Sequence, residues 1–371
     1  MKRILLLLSL MSLMLTAEAR RPKVGLVLGG GGAKGAAEIG ALKFIEKYDI
    51  PIDYIAGTSI GSIIGSLYAA GYTASELEQI LCDHPLLSLL TDRREDLRYK
   101  PFVRTSNPQH TDTLNYIFGF PALNFRHHCP GLLSCDNVEL LIDSLLGVKG
   151  ITDFRQLPID FRCVATDFKF FKRVKEEVLH TGDISKAVRA SMAFPVIIKH
   201  QEIDDQHLID GGMTNNLPID VVHEMGADFV IAIDLQQSKV EANDDDLRIN
   251  SAFELLDFVK DLGLDFVNTV LHSGLSMGRK AAAALISEDQ LGIIGWALHR
   301  PDSRKYLSNL RLYPSPQIIY INPRLPGFDV TSFGQEALKD MVQRGEQAAK
   351  QHKRELIRLT RRTNPFLRYS L

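Results

Sequence analysis

The sequence predicts an α/β fold, a three-layer α/β/α sandwich built on a mainly parallel central sheet. Three observations carry this expectation. Short strand-like apolar runs alternate with segments of helical period between Lys23 and Asp234. Strands that alternate with helices pair in parallel and are covered on both faces. Glycine-bearing turns also fall directly between a strand and a helix, at Leu28 to Gly40 and at Gly57 to Gly61.

Bulk properties fit this class. The chain has 371 residues, enough for a sizeable core in one large domain or two modest ones. A formal net charge of −2 supplies no field for nucleic acid. Apolar content is 45%, ordinary for a globular protein.

The first residues read as an export signal. Lys2 and Arg3 precede the mostly apolar run Ile4 to Thr16, and Ala17-Glu18-Ala19 offers a small-residue cleavage site. Residues 1–19 are therefore expected to be a cleavable signal peptide that sends the protein to the periplasm or the medium. The run is short for a stable membrane span. Of the four cysteines, Cys129 and Cys135 are the best candidates for a disulfide, being close in sequence in an expected loop. His127, His128, Cys129 and Cys135 match no standard zinc spacing, so no metal site is expected.

The elements follow in order. Lys23 to Leu28 is a strand, and Ala33 to Tyr48 a helix with Ile39, Leu42 and Ile45 on one face. Asp53 to Ala56 is a second strand, followed by the small, apolar helix Ile60 to Ala70. Ser75 opens a further helix with Glu76 and Glu78 in its first turn. From 90 to 134 no period holds, and an elaborate loop with substrate contacts is expected. Asn137 to Leu146 is a helix, Ile159 to Ala165 and Glu177 to His180 are strands, and Ile184 to Ser191 is a helix. Val196 to His200 and His207 to Ile209 read as a hairpin around Asp204-Asp205. Pro218 is placed at the N1 position of a helix, and Phe229 to Asp234 forms a buried strand. This gives an α/β core over 24–235. The remainder, 236–371, reads as a mostly helical extension packed on the core, with a strand at Gln317 to Ile321 and a terminal helix from Phe333 to His352.

The glycine loop Leu28 to Gly40 bares backbone N–H groups that will hold an anion. A nucleotide phosphate and a reaction oxyanion both fit, so the rest of the chain must decide. The pattern G-x-S-x-G occurs twice, at Gly57 to Gly61 and at Gly274 to Gly278. Three fixed positions at about 7% each give on the order of 0.1 chance copies in such a chain. A nucleophilic serine needs a strand, a sharp turn and a helix. Ser59 has that context, whereas Ser276 sits inside a continuous helical period. Ser59 needs a base. The histidines offer no recognisable setting, but Asp210-Gly211-Gly212 follows the apolar pair Leu208-Ile209 and can aim a carboxylate at a fixed point.

In this order the three motifs resemble the patatin-like phospholipase family. They are the loop Gly30-Gly31-Gly32-Ala33-Lys34-Gly35, the turn Gly57-Thr58-Ser59-Ile60-Gly61, and Asp210-Gly211-Gly212. Ala190 to Pro195 and Asn216-Leu217-Pro218 add to the likeness. The resemblance implies a Ser59–Asp210 dyad without histidine, with Gly30, Gly31 and Gly32 as oxyanion donors, each typically worth about 3–4 kcal/mol. Lys34 falls where members carry Lys or Arg, for anion or lipid phosphate binding or as a solvated helix start. Gly35, Gly57, Gly61, Gly211 and Gly212 support the motifs. Glu38 departs from the histidine expected at that position. The implied activity is a lipid acyl ester hydrolase of phospholipase A or lysophospholipase type, using no cofactor and no metal.

Two other readings remain. A dinucleotide site would use Gly30, Gly32 and Gly35 with an acidic residue at the end of the second strand, yet Asp53 precedes its strand. A non-catalytic envelope lipid binder would use the basic tail Lys350 to Arg368 for peripheral contact with anionic membrane, although a solvated helix end explains that tail as well.

Overall fold

The structure is a computed structural model that describes residues 21–83, 131–169, 173–194, 196–236, 317–328, 330 and 332–363. The second copy of the serine motif, Gly274 to Gly278, lies outside them, as do Cys129 and most of the loop expected over 90–134.

Strand β1 (Val24–Leu28) is buried throughout and leads through the glycine loop into helix α1 (Ala36–Glu46). Strand β2 (Tyr54–Thr58) leads into α2 (Ile60–Ala69), and α3 (Ala74–Asp83) follows. After β3 (Gly131–Leu133) and α4 (Asp136–Val148) come β4 (Asp160–Lys169), β5 (Arg173–Leu179) and α5 (Ile184–Ser191). Three short strands, β6 (Val196–Ile198), β7 (Gln201–Ile203) and β8 (Gln206–Asp210), precede α6 (Ile219–Glu224) and β9 (Phe229–Ile233). Strand β10 (Ile318–Ile321) and helices α7 (Gln335–Gln351) and α8 (Lys353–Thr363) complete the described chain.

The main sheet runs β10-β9-β1-β2-β4-β8-β7, with β5 also paired to β4. The pairings from β10 through β4 are parallel, while β8, β7 and β5 add antiparallel edges. Strand alternation sorts the core into two layers. Leu26, Leu28, Ile55, Phe161 and Ile231 face α1, α2, α4, α5 and α7. Val27, Ala56, Val164, Val230 and Ala232 face α6 on the other side. This is the three-layer α/β/α sandwich.

Several boundaries differ from the sequence reading. The hairpin does turn at Asp204-Asp205, both with positive φ (49° and 61°), as a primed two-residue turn requires. Its first arm is Gln201–Ile203, not Val196 to His200. Val196–Ile198 instead pairs with Gly131–Leu133 in a separate small sheet. Pro218 caps α6 rather than opening it, because its ψ of 60° is not helical. The helix read from Phe333 ends at His352, and a further helix, α8, follows it, burying Leu356 and Leu359 while Thr360 Oγ1 donates to the Tyr48 carbonyl at 3.1 Å.

Candidate active site

The sheet brings Ser59 and Asp210 together from opposite directions. On β4, Cys163 and Val164 pair with β2 on one edge and with β5 on the other. Ala165 to Asp167 pair with β5 and with β8. Strands β2 and β8 therefore share one edge of β4 and meet head to head. Thr58 stands opposite Val164 and Asp210 opposite Ala165, the next residue along. Ser59 follows Thr58 directly, so the ends of two strands deliver the serine and the carboxylate to one spot.

Ser59 has the geometry of a nucleophile elbow. Its φ of 54° and ψ of −124° lie where side chains are strained. The turn is tight because Gly57 and Gly61 cross: a Cβ on Gly57 would lie 2.4 Å from the Gly61 carbonyl oxygen. A Cβ on Gly61 would lie 2.4 Å from the Leu28 carbonyl oxygen. The elbow thus rests on the backbone that enters the glycine loop. Ser59 is half-buried, and its carbonyl accepts the first bonds of α2 from Ser62 N–H at 2.8 Å and Ile63 N–H at 3.4 Å.

Asp210 is buried, with 5% exposure. Its Oδ1 accepts the Gly212 N–H at 2.7 Å, which fixes the carboxylate across the Gly211-Gly212 turn. Its carbonyl accepts from Thr166 Oγ1 at 3.0 Å. Its own N–H donates to the Ala193 carbonyl at 2.9 Å.

The segment after α5 braces both groups. Ser191 Oγ accepts the Ser59 N–H at 2.8 Å and donates to the Val164 carbonyl at 2.6 Å. Two residues on, Ala193 holds Asp210. Sequence reasoning singled out Ala190 to Pro195 only as part of a likeness and gave Ser191 no function. No local pattern marks a buried serine as the brace of an element 132 residues away. Cys163 lies in the same floor. Its thiol is pushed up to about 12 by burial, with hydrogen bonds from Ser191 and Ser62 opposing and the Asp210 charge adding, so it is inert as a nucleophile.

The glycine loop is tied to the Asp210 turn through Asn216. Gly30 N–H donates to the Asn216 carbonyl at 3.2 Å, and Asn216 Nδ2 donates back to the Gly30 carbonyl at 3.2 Å. Thr58 Oγ1 donates to the neighbouring Asn215 carbonyl at 2.8 Å. Gly30, expected among the oxyanion donors, is buried, and its N–H is engaged by the Asn216 carbonyl. A Cβ there would lie 2.4 Å from Asn216 Oδ1 and 3.2 Å from Ser59 Cβ. Gly31 and Gly32 are half-buried at the start of the 3-10 turn Gly32–Gly35, in which the Ala33 N–H donates to the Val330 carbonyl at 2.9 Å and the Lys34 N–H to the Gly31 carbonyl at 3.2 Å. Lys34 is buried in that turn at 5% exposure, which removes the solvated reading of this residue.

Other candidates fall elsewhere. Asp53 sits at the N-terminal ends of β1 and β2, the end of the sheet opposite the loop. There its carboxylate accepts from Arg21 at 2.7 and 2.8 Å, Lys23 Nζ at 2.7 Å and Val24 N–H at 2.9 Å. Burial alone would raise its pKa, but these donors outweigh burial and hold it below the usual range. An acid so placed cannot bind a ribose at the glycine loop. His180 Nδ1 lies 3.1 Å from the Val178 carbonyl, and His200 and His207 cluster with Glu202 on the β7–β8 hairpin.

Behind the loop, Glu38 is fully buried, and among the described residues neither carboxyl oxygen makes a well-formed hydrogen bond. Burial raises its pKa well above 4.5, and the Asp234 charge adds to this; the Gly29 backbone opposes it only in part. Asp234 is itself buried, accepting from Gln236 N–H at 2.9 Å and from Tyr320 Oη at 2.5 Å.

Similarity to known proteins follows the same geometry. An uncharacterized NTE family protein of Mycobacterium bovis is 29% identical over 218 residues, covering 59% of this chain and 50% of its own. Patatin-like phospholipase domain-containing protein 6 of Mus musculus is 33% identical over 215 residues, 57% of this chain and 13% of its own. Lysophospholipase nte1 of Aspergillus niger is 32% identical over 212 residues, 57% of this chain and 12% of its own. The chain thus spans half or less of the length of these curated relatives. The model of the patatin-like phospholipase family matches residues 26–223, more than half of the chain and the whole stretch from the glycine loop through the serine elbow to the Asp210 turn. With these motifs meeting at one end of one sheet, the chain belongs to the patatin-like phospholipase family.

Proposed function

We propose that the protein hydrolyses acyl esters of lipids, as a phospholipase A or lysophospholipase, with Ser59 as nucleophile and Asp210 as base. The observation that carries this reading is the meeting of Ser59 and Asp210 on one edge of β4. Asp210 takes the Ser59 proton as Oγ attacks the ester carbonyl. The tetrahedral oxyanion is held by the Gly31 and Gly32 N–H groups and favoured by the N-terminus of α2. Collapse expels the alcohol, which takes the proton from Asp210, and leaves an acyl-enzyme. Water, deprotonated by Asp210, then attacks the acyl carbon and regenerates Ser59.

The surroundings favour a long-chain acyl group. An apolar groove between α1, α2, α3 and α4 is lined by Ile60, Ile63, Leu67, Ile80, Leu141 and Leu145, among other apolar side chains. Ile60 immediately follows Ser59 in the chain, so the groove lies along the helix that the elbow opens. The export pattern in residues 1–19 makes the periplasm or the medium the proposed place of action.

The test is labelling with a fluorophosphonate, followed by a panel of phospholipids, lysophospholipids and neutral lipids. Wild type is expected to label and hydrolyse. Ser59→Ala should lose both, and Asp210→Asn should lose at least a thousandfold in rate while staying folded. A wild type that resists labelling, or an active Asp210→Asn, overturns the assignment.

A further inference from the structure

The β7–β8 hairpin carries a convergent set of side chains that ester hydrolysis does not use. His200 precedes β7, Glu202 is its middle residue, and His207 stands directly opposite Glu202 on β8. Alternation puts His200 and Glu202 on one face of the strand, and cross-strand pairing puts His207 on the same face. His200 Nε2 lies 3.4 Å from Glu202 Oε1, and His207 Nδ1 lies 3.6 Å from that same oxygen. The two rings meet edge to face with centroids 5.1 Å apart. One ligand atom from each of the three residues lies within 4.8 Å of the others.

These separations exceed the 2.7–3.2 Å range of a good N–H···O bond. They suit a shared cation. An ion bound tetrahedrally at about 2.0–2.2 Å from nitrogen and oxygen separates its ligands by about 3.4 Å. Two imidazoles and one carboxylate select the ion class. Calcium and magnesium take oxygen ligands, whereas imidazole suits zinc and its first-row neighbours. Exposure supplies an entry path, since the His200 side chain is 1% exposed but Glu202 is 58% and His207 26%. Solvent can therefore complete the coordination on the Glu202 side.

We propose that His200, Glu202 and His207 bind one divalent first-row transition ion of the zinc type, which clamps the β7–β8 hairpin. The ion is structural. Asp210 lies three residues beyond His207, and strand alternation turns it to the opposite face. Its effect on the site is mechanical: among the described residues β8 pairs with β4 through Leu208, Ile209 and Asp210. A clamp across β7 and β8 holds the strand that delivers Asp210.

The experiment uses full-length protein stripped with chelator. Cobalt(II) is followed by its visible absorption, zinc by competition calorimetry, and thermal stability with and without zinc. Expected are one ion per chain, a cobalt band typical of low coordination, and a zinc-dependent rise in Tm. Glu202→Gln, at a mostly exposed position that folding tolerates, should weaken binding at least tenfold, and His207→Ala likewise, with circular dichroism unchanged. Variants of His127, His128 and Cys129 should bind as wild type does. The proposal is overturned if stripped wild type binds zinc no tighter than millimolar, if Glu202→Gln and His207→Ala bind as tightly as wild type, or if binding is lost with the 127–129 variants instead.

Discussion

Ser59 occupies a backbone region that costs on the order of 1–3 kcal/mol for a residue with a side chain. The cost is offset by the Ser191 hydroxyl on its N–H and by the first turn of α2 on its carbonyl. Glycine meets no such penalty. Ser59→Gly is expected to raise Tm by a few degrees while abolishing hydrolysis, and calorimetry showing a lower Tm would refute stored strain at the elbow. Glu38 gives a second case in which a single residue burdens the fold. Its folded pKa is raised above the unfolded value of about 4.3. The folded state therefore holds a proton that the unfolded state has released, so stability falls as pH rises from about 4.3 through the folded pKa. Below that window both states are protonated and the carboxyl behaves like an amide. Glu38→Gln should raise Tm at pH 7 and leave it nearly unchanged at pH 4. An equal gain at both values would show that the effect is packing, not ionisation.

At the scale of elements, the candidate site rests on two strands meeting end to end, and the apolar groove between α1, α2, α3 and α4 is proposed to take the acyl chain. Ile63, on α2 one turn from Ser59, is half-buried in that groove. Ile63→Trp is expected to lower kcat/KM for long-chain esters at least tenfold while sparing acetyl or butyryl esters; an unchanged chain-length profile would place the acyl chain elsewhere. The strand–turn–helix units of the core were legible because each is local: β1, β2, β9, α1 and α2 announce themselves by period and by flanking glycines. The arms near residue 200 were not. Val196–Ile198 reads as a hairpin arm, but its partner is Gly131–Leu133, more than sixty residues earlier in a stretch without period. Strand pairing is chosen by register with a distant neighbour, and periodicity carries no record of it.

For the whole molecule, the C-terminal segment completes the sandwich. Strand β10 pairs with β9, and α7 packs on α1 with Leu338, Met341 and Val342 buried. Helix α8 buries Leu356 and Leu359 and leaves Lys353, Arg354 and Arg358 exposed, a basic face compatible with anionic lipid. Charge reversal of these three residues should reduce sedimentation with vesicles rich in anionic phospholipid while leaving hydrolysis of a soluble short-chain ester unchanged. Equal vesicle binding by the variant would remove this surface from consideration. By itself the sequence determined the succession of β1, α1, β2 and α2, the strand–elbow–helix setting of Ser59, and the Asp210 turn, because each is written in contiguous residues with its own backbone requirements. The tertiary structure alone decided that β2 and β8 share an edge of β4, that Ser191 braces the elbow, and that Asn216 engages the Gly30 N–H. Those are contacts between residues far apart in the chain, fixed by sheet register and packing rather than by any local preference.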